Sequence, residues 1–144
     1  MTAPRLILGH GASGTAASMR PHVDGLRRRG IAAAAVDLPK GLAERAVPRF
    51  REAAGPDAAR AAVGGHSYGG RVASMLASEE EVAALVLLSY PLHRPGAHAD
   101  RRTAHWGSIR CPVLFLSGER DQFARVYLLR SDVARLLPDA ELHT

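Results

Sequence analysis

Ala61-Ala62-Val63-Gly64-Gly65-His66-Ser67-Tyr68-Gly69-Gly70-Arg71-Val72-Ala73-Ser74-Met75-Leu76-Ala77 is the stretch whose reading decides the fold. Its first residues are small and apolar, its last follow a helical pattern, and between them lies a serine flanked by glycines. The order is strand, sharp corner, helix. A serine at such a corner occupies a strained backbone conformation, and glycine two residues before it (Gly65) and two after it (Gly69) avoids clashes with the helix and the neighbouring strand. The hydroxyl is then held out at the carboxyl end of the sheet. The competing reading is a plain helix-initiating turn with Ser67 as its N-cap.

On both sides of this stretch, strand-like and helical runs alternate. Residues 5–9 form a continuous apolar strand, as expected of one covered on both faces, and lead into the loop His10-Gly11-Ala12-Ser13-Gly14. Pro21 suits the first turn of a helix whose Met19, Val23 and Leu26 share a face, with Gly30 as its stop. Residues 31–36 read as a strand by position alone, since consecutive alanines favour helix. Residues 42–54 carry a broken helical pattern in which Pro48 is expected to restart the helix. Residues 82–89 are the most apolar strand, 90–110 a connection with at most a short helix, and 111–117 another buried strand. Val126, Leu129, Val133 and Leu136 recur at helical spacing, and residues 140–144 begin one more strand. Alternation of this kind predicts an α/β protein, a three-layer α/β/α sandwich on a parallel sheet of at least five strands.

The chain has 144 residues and reads as one domain over residues 1–144. With 47% hydrophobic and 23% charged residues, its composition excludes a disordered or collagen-like chain. Cys111 is the sole cysteine, so an internal disulfide is impossible and a reduced, cytoplasmic setting is expected. Leu6-Ile7-Leu8 is far too short for a signal or membrane segment. The net charge of +5 comes almost entirely from arginine, Lys40 being the one lysine. These arginines are scattered, Arg27-Arg28-Arg29 being the longest run, and with aromatics at 5% no stacking platform accompanies them. Neither a nucleic-acid nor a membrane partner is expected, and the excess charge favours anions only by long-range steering. Oligomeric state is not legible here.

Three motifs, Leu8-Gly9-His10-Gly11-Ala12, Gly64-Gly65-His66-Ser67-Tyr68-Gly69-Gly70-Arg71 and Pro112-Val113-Leu114-Phe115-Leu116-Ser117-Gly118-Glu119-Arg120-Asp121, fall at strand ends in order. In these the chain resembles the α/β-hydrolase superfamily, and within it the small, lidless, dienelactone-hydrolase-like bacterial members with a Gly-Gly-x-Ser-x-Gly-Gly-Arg corner. The resemblance implies a minimal fold without a cap domain and hydrolysis of an ester or related acyl bond through a Ser67 acyl-enzyme. It implies no metal and no cofactor, and a small-molecule acyl substrate as partner. Ser67 would be the nucleophile. The backbone N–H groups of Tyr68 and Ala12 would form the oxyanion hole, each worth roughly 3 kcal/mol in the transition state. Asp121 would be the acid that orients an imidazole, with Glu119 as its alternative on the same turn.

The base departs from the pattern. The superfamily places its histidine after the acid, in a loop beyond the last strand, whereas His143, the only histidine after Asp121, sits within the apparent last strand. The chain therefore reads as lacking a C-terminal loop and helix, and a noncatalytic α/β-hydrolase-like interaction module is the alternative function. Of the other histidines, His10 belongs to the oxyanion loop and His66 normally points away from the nucleophile. His93, His98 and His105 lie in the connection near the substrate, at spacings that match no zinc pattern. His10, Tyr90 and His93 are the expected substrate-contacting residues. Arg71 reads as a surface arginine or as a contact to an anionic group, and Cys111, at the start of a buried strand, as a small hydrophobe.

Overall fold

The computed structural model describes residues 4–144. Six strands, β1 (Arg5–Gly9), β2 (Ala33–Val36), β3 (Ala61–His66), β4 (Ala84–Leu88), β5 (Val113–Leu116) and β6 (Glu141–His143), form one sheet in the order β2-β1-β3-β4-β5-β6. Every neighbouring pair is parallel. Helices α1 (Arg20–Arg28), α2 (Ala43–Ala54), α3 (Tyr68–Glu79) and α4 (Val126–Leu136) make the crossovers, as parallel pairing demands. The expected α/β/α sandwich on a parallel sheet is the fold, and the connection from β4 to β5 holds only the 3-10 turn Trp106–Ser108 and no cap domain. No helix among the described residues is long and apolar enough to cross a membrane.

The strand period of two divides the core between the two faces of the sheet. On one face Ile7, Val63, Leu85, Leu87 and Phe115 pack with Val47 and Phe50 of α2, Val72 and Leu76 of α3, and Leu129 and Val133 of α4. On the other, Leu6, Leu8 and Ala62 pack with Val23 of α1 and with Met19. That second face is covered unevenly. Val86, Leu88 and Leu114 are half-buried there and Leu116 is 40% exposed, because α1 lies over β1, β2 and β3. Within residues 82–89, expected as the most apolar strand, Val82, Leu85 and Leu87 are the buried residues.

Two local expectations need correction. Helix α2 runs unbroken through Pro48, which faces solvent and lacks only the N–H that would bond the Glu44 carbonyl. Burial of Ala43, Ala46, Val47, Phe50 and Ala54 on the inner face outweighs that loss. Strand β2 starts at Ala33 rather than at residue 31, because the turn that ends α1 extends through Ile31. Gly30 takes φ +81°, its N–H bonds the Arg27 carbonyl, and the Ile31 N–H bonds the Leu26 carbonyl, a helix stop that glycine permits.

Candidate functional site

Ser67 joins β3 directly to α3 with φ +50° and ψ −116°, a conformation that costs a non-glycine residue on the order of 1–3 kcal/mol. The surroundings leave it no alternative. Its N–H bonds the Leu88 carbonyl at 2.8 Å and its carbonyl accepts the Arg71 N–H at 3.0 Å, locking it to β4 and to the first turn of α3. A Cβ on Gly65 would stand 2.6 Å from the Gly69 carbonyl carbon, and one on Gly69 2.2 Å from that of Gly9. Strand, helix and neighbouring strand thus touch backbone to backbone. Although Ser67 occupies the N-cap position of α3, its side chain makes no capping hydrogen bond. The hydroxyl is left free and lines a cleft of about 610 Å³.

Ala12 and Tyr68 line the same cleft, so the two expected oxyanion donors lie beside the serine although Ala12 follows β1. The sheet order explains the meeting, since β1 and β3 are neighbours with Gly9 opposite Gly65. The loop after β2 fastens both. The Tyr68 phenol donates to the Pro39 carbonyl oxygen, the Leu38 N–H donates to His10 Nε2 at 2.9 Å, and Asp37 Oδ1 accepts the Ala16 N–H at 2.7 Å. Burial pushes the Tyr68 phenol's pKa up, with the Glu44 charge adding to it.

The expected substrate contacts at His10, Tyr90 and His93 are corrected by burial. None of the three lines the cleft, and each is at most 1% exposed. The two histidines repeat one arrangement. His10 Nδ1–H donates to the Gly11 carbonyl at 2.7 Å while Nε2 accepts from Leu38, and His93 Nδ1–H donates to the Arg94 carbonyl at 2.9 Å while Nε2 accepts the Arg125 N–H at 3.0 Å. Each acceptor role fixes the tautomer, and each ring ties a strand-end loop to a distant one. Tyr90 donates to the Arg102 carbonyl at 2.7 Å and accepts from Trp106 Nε1 at 3.3 Å. Burial raises its pKa.

Asp121 does not line the Ser67 cleft. It shares a neighbouring hollow of about 340 Å³ with His98, Glu119 and Arg125, and its Oδ1 accepts the Phe123 N–H at 2.9 Å. Phe123, the donor of that bond, lines the Ser67 cleft. Glu119 is engaged elsewhere, 3.6 Å from Arg130 and 3.4 Å from the Thr144 hydroxyl. His143 lies in β6 opposite Leu116, and its carbonyl accepts the Ser117 N–H. His66 is exposed, with its ring against Gly11. No histidine among the described residues lines the cleft. Nor do three or more His, Cys, Asp or Glu side chains among them gather in a way that could hold a metal ion.

Sequence reasoning offered Arg71 as a contact to an anionic group and missed the charged residues that join it in the cleft. Arg71, Arg94 and Arg102 all line it, with Glu44 and Asp100. Behind Arg71, the buried Ser74 hydroxyl donates to the Arg71 carbonyl and meets His105 Nε2, each at 2.7 Å. Burial, reinforced by the Arg71 charge, lowers the His105 pKa to about 4. A spacing signal for the two arginines of the connection does not exist in the sequence, because an irregular loop brings them in.

Residues 37–142 match a family described as the alpha/beta hydrolase domain. Among solved structures the chain is similar to an N-formylmaleamic acid deformylase from Pseudomonas putida, with a TM-score of 0.77 at 11% identity over 99% of this chain and 84% of that one. It is also similar to an esterase from Pyrococcus furiosus, with a TM-score of 0.76 at 18% identity over 98% and 72%. A dienelactone hydrolase from Anabaena variabilis gives 0.69 at 21% identity over 97% and 73%. At these identities the likeness is one of fold.

Proposed function

The chain belongs to the alpha/beta hydrolase family, and from that premise we propose that it is a serine hydrolase of ester or related acyl bonds, with Ser67 as nucleophile. The observation that carries the reading is the uncapped Ser67 hydroxyl, held at φ +50° and open to the cleft. A residue that served only to start a helix would use its side chain on an N–H of the first turn, and would have no cause to keep a strained backbone.

In this mechanism Ser67 Oγ attacks the substrate carbonyl carbon, the C=O π electrons move to oxygen, and the oxyanion is met by the N–H groups of Tyr68 and Ala12. The amino end of α3 adds favourable potential there. As the tetrahedral intermediate collapses, the bond from the acyl carbon to the leaving oxygen breaks and the Ser67 proton ends on that oxygen, giving the alcohol. Water then adds its hydroxyl to the acyl carbon, the Ser67 ester bond breaks, and the second water proton returns to Ser67 Oγ. Asp121, one turn from Phe123 at the cleft wall, is the acid that would orient an imidazole. The domain over residues 1–144 carries Ser67, Ala12, Tyr68 and Asp121, and a small acyl compound is the substrate.

A second reading, a noncatalytic module that binds through the same cleft, is favoured by one observation: no described histidine lines the cleft to accept the Ser67 proton. A fluorescent alkyl phosphonate decides between them. Labelling of the wild-type protein that disappears in Ser67→Ala supports the hydrolase. Equal labelling of both, or none of either, leaves the binding module.

A further inference from the structure

We infer that the β6 edge of the sheet is a self-association surface, which pairs antiparallel with β6 of a second copy of this chain about a two-fold axis at Leu142. No residue of β6 lines the Ser67 cleft, so the inference is independent of what that cleft does.

The two edges of the sheet differ in how they are finished. At the β2 edge the Leu6 N–H takes the Ala32 carbonyl at 2.9 Å, so the next carbonyl, that of Ala33, points away from β1. Arg27 Nε donates to it at 2.9 Å, and a charged side chain thereby closes that edge. At the β6 edge the Ser117 N–H takes the His143 carbonyl at 3.0 Å. Residues 141 and 143 therefore turn their backbone groups toward β5, and Leu142 turns its N–H and C=O outward. Neither outward group has a partner among the described residues. A strand edge left in this state is a template for another strand.

The side chains select a second copy as that strand. Antiparallel pairing centred on Leu142 sets Glu141 opposite the partner's His143 and His143 opposite the partner's Glu141. Residues opposite one another share a face of the sheet, and an imidazole offers the carboxylate an N–H whether it is neutral or protonated. Both side chains are exposed and are free of hydrogen bonds and ion pairs among the described residues. Glu141-Leu142-His143 is thus its own complement, and one two-fold operator yields the contact twice, as an isologous interface requires. Across the axis the two Leu142 residues exchange N–H···O=C bonds. A register shifted by one residue would lose both Glu–His contacts. Helix α4 does not oppose the approach, because Arg130, which lies over this edge, is already engaged by the Thr144 hydroxyl at 2.9 Å and by Glu119 at 3.6 Å.

Sedimentation equilibrium across a concentration series, run on the wild type and two variants, tests the pairing. The wild type should show a monomer–dimer equilibrium. His143→Glu places a carboxylate opposite each Glu141 and should weaken the dimer about tenfold. Adding Glu141→Lys to that variant restores opposite charges and should return the dimer to within about threefold of the wild type. Both positions are exposed, so the variants keep their fold. Hydrogen exchange on the wild type reads the same pairing without any substitution, since the Leu142 amide should exchange at least about tenfold more slowly as concentration rises through the dimer range. A wild type that stays monomeric up to about 0.5 mM, a dimer indifferent to His143→Glu, a double variant as weak as the single one, or a Leu142 amide that exchanges equally fast in the dimer overturns the proposal.

Discussion

Gly69 lies so close to Gly9 that a Cβ built on it would come within 2.2 Å of the Gly9 carbonyl carbon and 2.4 Å of its oxygen. The contact is backbone on backbone, with no flexible side chain to yield. It sets how near α3 approaches β1, and with that how near Ala12 comes to Ser67.

Gly69→Ala is therefore expected to destabilise the protein by about 3 kcal/mol or more, beyond the usual range for an added methyl group that neighbours can accommodate. Gly118→Ala is the contrast. Nothing lies within 4 Å of a Cβ there, and the loss of unfolded-state freedom should leave stability unchanged or up to about 1 kcal/mol higher. Urea titration of both variants measures the difference.

Tyr68→Phe removes the hydroxyl that holds Pro39 and leaves the Tyr68 N–H in place. The expected cost is about 1 kcal/mol of stability. Phosphonate labelling of Ser67 should slow by a smaller factor than in Gly69→Ala, because the phenol holds the loop and only the backbone faces the oxyanion. Parallel thermal melts and labelling time courses check both statements.

Acid should weaken the fold through His105. The Ser74 hydrogen is committed to the Arg71 carbonyl, so His105 Nε2 carries the proton shared with Ser74, and further protonation puts a second cation near Arg71. The ring's pKa is depressed to about 4 from 6.5. The unfolded chain therefore binds the extra proton first as pH falls. Stability from this group is full above pH 6.5 and is lost as the pH drops toward about 4. Partial exposure of the ring holds the effect to the order of 1–2 kcal/mol. His105→Gln should flatten the stability profile across that window, as read from denaturant midpoints at stepped pH.

The unevenly covered sheet face predicts a surface property. Leu116, at 40% exposure beside half-buried Leu88 and Leu114, forms an apolar strip that should bind the uncharged dye Nile red in the native state. Leu116→Lys should lower that fluorescence by about half or more, since a charge now interrupts the strip. Unchanged dye binding would show that the face is closed in solution.

Much of this was legible in the residues. Gly65, Ser67 and Gly69 give the corner because only small residues fit its backbone contacts, and the apolar runs at β1, β4 and β5 announce buried parallel strands. The sequence reading failed where neighbours distant in the chain decide. Pro48 does not interrupt α2, because packing of Phe50 and its companions holds the helix together. His10 and His93 resemble site residues by position, yet their rings are consumed in bracing loops. The arginine lining was invisible for the same reason: Arg94 and Arg102 reach the cleft through an irregular connection that carries no periodic signal.

The strand order β2-β1-β3 has a consequence for when the protein becomes competent. The corner at Ser67 is a local product of β3 and α3, but its companion amide at Ala12 arrives only after β1 has threaded between two later strands. A partly assembled molecule could own its serine and still offer just one main-chain donor. Reactivity toward the phosphonate should thus appear during refolding together with the last cooperative step rather than with early helix formation, which makes the reagent a clock for completion of the sheet.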